Sequence, residues 1–110
     1  MTDIGVWFYH RTPDPNVLDA TWTTPRLGSK GMGTGKVRGD HSKGFPGKYV
    51  VTYYLPDGSE AGTYDVTIEP MGPAYSLSWI RNGEVLYTGV GIETPGGLAI
   101  GFGKTGTRAG

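Results

Sequence analysis

From residue 48 to residue 104 the chain alternates apolar and polar positions with a period of two, broken only at turn residues. Residues 48–55 (KYVVTYYL) run into Pro56-Asp57-Gly58-Ser59, and residues 62–69 (GTYDVTIE) run into Pro70-Met71-Gly72-Pro73. Residues 74–81 (AYSLSWIR) turn at Asn82-Gly83; residues 84–93 (EVLYTGVGIE) turn at Thr94-Pro95-Gly96-Gly97; residues 98–103 (LAIGFG) close the series. A period of two puts successive side chains on opposite faces of a strand, and Asn-Gly between such runs is a strong hairpin signal.

The first half is less regular. Residues 4–9 (IGVWFY) predict a strand, followed by a loop at 11–16 whose two prolines forbid a continuing ladder. Residues 17–24 predict a second strand closed by Pro25, and residues 31–39 (GMGTGKVRG) a glycine-rich, sharply coiled third. Residues 40–47 predict the most mobile loop, and residues 104–110 a fraying tail. Eight strands joined mostly by short loops predict an all-β, eight-stranded antiparallel up-and-down β-barrel, one domain over residues 1–110. Glycine supports this too: twenty residues, many inside strand patterns, suit the kinks of a closed, curved sheet.

The alternation assigns faces. The sets Leu18, Ala20, Trp22; Tyr49, Val51, Tyr53, Leu55; Tyr64, Val66, Ile68; Tyr75, Leu77, Trp79; and Leu98, Ile100, Phe102 are expected inside. Tyr87 stays open, because Leu86, Val90 and Ile92 compete for the inner face of its strand.

This plan is similar to the calycin barrels, the lipocalins and avidins. Gly5-Val6-Trp7 resembles the Gly-x-Trp of the first lipocalin strand. Residues 47–103, with Gly-x-Tyr, Pro-Asp-Gly, Trp, Gly-x-Gly and Leu-Ala-x-Gly in order, also resemble a short barrel repeat of uncharacterised bacterial proteins. The resemblance implies a barrel fold and carries no functional residues.

Charge and composition narrow the function. Ten basic against ten acidic residues leave no basic surplus, which argues against nucleic acid or an anionic membrane as partner. With no cysteine there is no disulfide, thiol nucleophile or thiolate metal site. Residues 1–10 carry no signal-peptide pattern and no run is long enough for a spanning helix, so a cytoplasmic protein is expected. His10 and His41 are the only histidines, too few for a metal site, and no cofactor is expected. Gly31-x-Gly33-x-Gly35 and Gly103-Lys104-Thr105 lack the spacing and the helix of phosphate-binding loops. Ser42 or Ser29 with His41 and Asp40 could be drawn as a triad, but without a nucleophile elbow; Asp65 and Glu69 share a face, and it is the polar one.

The aromatics remain. Three tryptophans and seven tyrosines suit a pocket that is apolar with a few polar tips. The leading expectation is a small apolar or aromatic molecule bound inside the barrel by Trp22, Tyr53, Tyr64, Tyr75, Trp79 and Tyr87. The alternative is a cofactor-free isomerase, cyclase or lyase in the same cavity, with Tyr53 orienting or protonating the substrate and Asp40 or His41 at the mouth as base. A third is a structural or interaction module using an exposed sheet edge; a homodimer is left open.

Overall fold

A computed structural model describes residues 4–104. They form β1 (Ile4–Arg11), β2 (Val17–Thr23), β3 (Gly33–Arg38), β4 (Gly47–Tyr54), β5 (Glu60–Met71), β6 (Ala74–Arg81), β7 (Glu84–Thr94) and β8 (Gly97–Lys104), with one 3-10 turn at Gly28–Lys30. Each strand pairs antiparallel with its neighbours in sequence, and β1 pairs β8 to close an eight-stranded barrel. Closure gives each strand a paired neighbour on both sides over most of its length. No helix among them is long and apolar enough to cross a membrane.

The turns follow their residues. Arg81 pairs with Glu84, so Asn82-Gly83 is a two-residue connection, and both residues take positive φ (54° and 77°), as a type I′ turn requires. The connection expected over residues 70–73 is shorter: Met71 pairs with Ala74, leaving only Gly72 and Pro73. Pro70 is tolerated in β5 because pairing to β4 stops at Ile68, so the strand has one neighbour there. The glycine-rich strand begins at Gly33, with Gly31 and Met32 outside it. Of the expected tail, Lys104 ends β8 and the rest lies outside the described residues.

Every inward set contributes to the core. Leu18, Ala20, Trp22, Tyr49, Val51, Tyr53, Val66, Ile68, Leu77, Trp79, Leu98 and Ile100 are buried; Leu55, Tyr64, Tyr75 and Phe102 are partly buried and packed against them. Tyr87 also faces the core, while Val90 and Ile92 face out. In the register, Tyr87 opposes Trp79, and a bulge beside that pair resets the alternation.

Loop geometry distinguishes the two ends. The connections at residues 12–16, 39–46, 72–73 and 95–96 gather at one end, and those at 24–32, 55–59 and 82–83 at the other. The first end is plugged. Phe45, from the loop expected to be mobile, is 1% exposed, with the Arg11 guanidinium 4.6 Å over its ring and Tyr75 edge-on at 6.1 Å. That loop is tied down further by Tyr49 Oη donating to the Phe45 carbonyl (2.8 Å) and by the His41 amide donating to Pro15 O (2.9 Å).

Candidate functional site

The interior is solid toward the plugged end and hollow at the other. A cavity of about 300 Å³ opens at the end of the 24–32 and 55–59 loops. Its walls are Trp7, Trp22, Tyr64, Tyr87 and Phe102, its floor is Tyr53 and Trp79, and Ile4, Thr24, Pro25, Arg26 and Ala61 form its rim. The volume is at the lower end of what small-molecule sites offer.

Glycines opposite the rings make this wall. Gly33 pairs with Trp22 across β2 and β3, and the Trp22 indole lies over the space a Cβ at 33 would occupy. Gly5 pairs with Phe102 across β1 and β8 in the same way. A side chain at either position would push its ring into the cavity. Trp7 sits at the centre of the cluster, 5.4 Å from Trp22 in a stacked pair and 3.9 Å from Phe102 in an edge-on one. Such contacts fix ring orientation beyond what burial alone does.

The floor is polar in a particular way. Trp79 Nε1 donates to the Tyr53 hydroxyl at 2.8 Å, and the Tyr9 and Tyr53 hydroxyls share a hydrogen bond at 2.6 Å. Trp22 Nε1 is used elsewhere, donating to the Thr34 carbonyl at 2.8 Å. Trp7 Nε1 also faces the Tyr53 oxygen, but outside hydrogen-bond geometry, and this buried N–H has no partner. An unmet buried donor typically costs about 1–3 kcal/mol. Burial pushes the ionisation of Tyr53 and Tyr9 well above the ordinary tyrosine range, so both are neutral phenols at physiological pH. Neither can serve as a base there.

The sequence-predicted residues divide by end. Trp22, Tyr53, Tyr64, Trp79 and Tyr87 meet around the cavity. Tyr75 stands at the plugged end, where its hydroxyl donates to Glu93 (2.9 Å), which also takes the Arg11 guanidinium at 2.7 Å. These bonds, Tyr75 first, hold the Glu93 carboxyl below its ordinary range. Asp40 and His41, expected at the mouth, belong to the plugged end as well. Asp40 Oδ1 accepts from the amide and hydroxyl of Ser42, which lowers its pKa, and His41 Nε2 lies 2.9 and 2.8 Å from the carbonyls of Asp14 and Val17. They are turn-building residues, and Ser42 bonds Asp40 rather than His41, so no triad forms. His10 lies apart, 3.2 Å from Thr21 Oγ1.

Trp7, Tyr9 and Phe102 complete the site without having been assigned to it. The signal for the first two was the shared parity of Gly5, Trp7 and Tyr9, obscured because Ile4, Val6 and Phe8 on the other parity are apolar as well. Parity puts Phe102 inside; its position at the hollow end follows from its pairing with Gly5. Among protein-family models, curated proteins and solved structures, none matches this chain.

Proposed function

We propose that this barrel binds one small, largely apolar or aromatic molecule in the cavity at its open end. The observation that carries this reading is the hollow itself: a continuous aromatic wall around about 300 Å³, closed beneath by Tyr53 and Trp79. Glycines at 5 and 33 leave room for the rings that shape it. The coarse architecture, eight strands closed in sequence order, is compatible with the likeness to lipocalins and avidins, whose barrels hold a single small ligand.

Binding is favoured over catalysis because the cavity lining contains no carboxylate or imidazole among the described residues. The acid–base chemistry of an isomerase, cyclase or lyase needs a base within reach of the substrate, and the buried phenols do not supply one.

Indane, a compact bicyclic hydrocarbon, tests the reading. It is expected to quench tryptophan fluorescence saturably and to raise the melting temperature. At a hundredfold excess over Kd the gain is about 2.7 kcal/mol. Trp22→Ala should weaken the binding. Quenching that stays linear in indane, with an unchanged melting temperature, would overturn the proposal.

A further inference from the structure

On the outside of the barrel, the register of β6, β7, β8 and β1 sets up three uncharged rows. Ser76, Val90, Gly101 and Val6 stand side by side, and Ser78, Thr88, Gly103 and Ile4 form the row next to them. Ile92, Ala99 and Phe8 continue the face on β7, β8 and β1. Ile4, Val6, Val90 and Ile92 are 54%, 59%, 54% and 66% exposed, half of the large apolar side chains that face solvent among the described residues. Val50 is exposed too, but it stands alone between Arg38 and Asp65 of the neighbouring strands. Single apolar residues of that kind need no explanation, whereas a contiguous apolar face marks a contact site.

We infer that this face pairs with the same face of a second copy of the chain, as a twofold dimer. The rows alternate in height: β6 and β8 present serine, glycine and alanine, while β7 and β1 present branched or aromatic side chains. A twofold axis running along the strands, midway between β7 and β8, lays β7 of one copy over β8 of the other and β1 over β6. Each ridge then enters a furrow, Val90 and Ile92 against Gly101 and Ala99, and Val6 against the serines of β6. A twofold contact uses one patch twice, so it needs a surface complementary to itself, and this alternation supplies one. A charged partner would find nothing to pair with in these rows. Four strands ~4.8 Å apart and three rows ~6.7 Å apart span roughly 400 Å² per copy in projection. Side-chain relief raises the accessible area above the projection, so the pair buries on the order of 1,000 Å², the lower bound of a specific interface. The dimer is therefore reversible.

Sedimentation velocity of the full chain tests this. The wild type is expected to run at twice the monomer mass at about 100 µM and to dissociate on dilution toward about 1 µM, as suits an interface of this size. Nothing lies within 4 Å of the place a Cβ at Gly101 would take, and its φ is outside the left-handed region, so Gly101→Lys fits the monomer. It fills the furrow with a charge and should leave a monomer at every concentration, with the thermal melt of the dilute protein not lowered. Ile92→Lys, on the ridge, should do the same without touching a glycine. Val50→Lys, off the face, should keep the dimer. A wild type that is monomeric at 100 µM would overturn the inference, and so would a dimer that survives either substitution on the face or is lost equally to Val50→Lys.

Discussion

Trp79 and Tyr53, on β6 and β4, are joined by an indole N–H donated to a phenol oxygen at 2.8 Å across the interior of the barrel. These strands flank β5 and do not pair with each other, so the bond joins two sections of wall that no ladder links directly. The Tyr53 oxygen is also the one on which Tyr9 converges.

The two phenols are therefore not equivalent. Tyr53→Phe strands the Trp79 N–H and the Tyr9 O–H together, whereas Tyr9→Phe removes one bond and leaves the Trp79 bond intact. Tyr53→Phe is expected to cost about 1–3 kcal/mol for the stranded donors beyond the lost bonds, and Tyr9→Phe about 1 kcal/mol. Urea denaturation of both variants measures the order. Equal losses would show that the oxygen of Tyr53 is not the hub.

Alkali should act through the same pair. Folded Tyr9 and Tyr53 hold their protons above the pH at which the unfolded chain, with tyrosines near pKa ~10, releases its own. The unfolded state then binds fewer protons than the native one, so stability falls as pH rises past ~10 and is unaffected by these groups below it. Each held phenol contributes a slope of at most about 1.4 kcal/mol per pH unit. Stability measured between pH 9 and 11.5 should decline, and Tyr9→Phe should flatten the decline. Tyrosinate absorbance from all seven tyrosines rising in one step near pH 10 in the folded protein would contradict the burial of these two.

Glycine 33 is expected to be irreplaceable for a packing reason. Its φ is not in the positive range, so alanine fits the backbone, but the Trp22 indole occupies the place of a Cβ. Gly33→Ala should cost about 1–3 kcal/mol through overpacking. The cost should shrink when Trp22 is also changed to Leu, which a double-mutant cycle detects as coupling. Additive losses would mean the ring does not need that space.

Glycine 83 is the contrasting case. Nothing lies within 4 Å of the place its Cβ would take, yet its φ is 77°. Gly83→Val should cost on the order of 1 kcal/mol or more through backbone strain alone. A thermal melt that matches the wild type would exclude the two-residue turn.

Strands β4 to β8 were legible because alternation and turn residues agree there, and parity alone placed Tyr53, Trp79 and Ile68 inside. In β1 both parities are apolar: Val6 is 59% exposed although it reads as core. Phe45 was hidden for a different reason. It stands alone in a polar loop between Gly44 and Pro46, and only the folding of that loop over the barrel end makes it a core residue. Parity also says which face a side chain takes, but not how far along the barrel it sits. Tyr75 and Trp79 share the inner face of β6 at opposite ends, so only the register separates a plug residue from a pocket residue. Asp40 and His41 depend on a contact between two loops, at Asp14, Pro15 and Val17, that no local pattern encodes.

The Phe45 stopper also has a kinetic meaning. With one end sealed by that ring, Arg11 and Tyr75, whatever occupies the cavity arrives and departs through the same doorway beside Thr24, Pro25 and Ala61. Loading and release then share one barrier. A change at the doorway, such as Ala61→Leu, would slow both rates alike and leave Kd where it was. A change at the floor would alter release and leave arrival untouched. For a guest bound there, the doorway would set how fast it exchanges and the floor how tightly it is held.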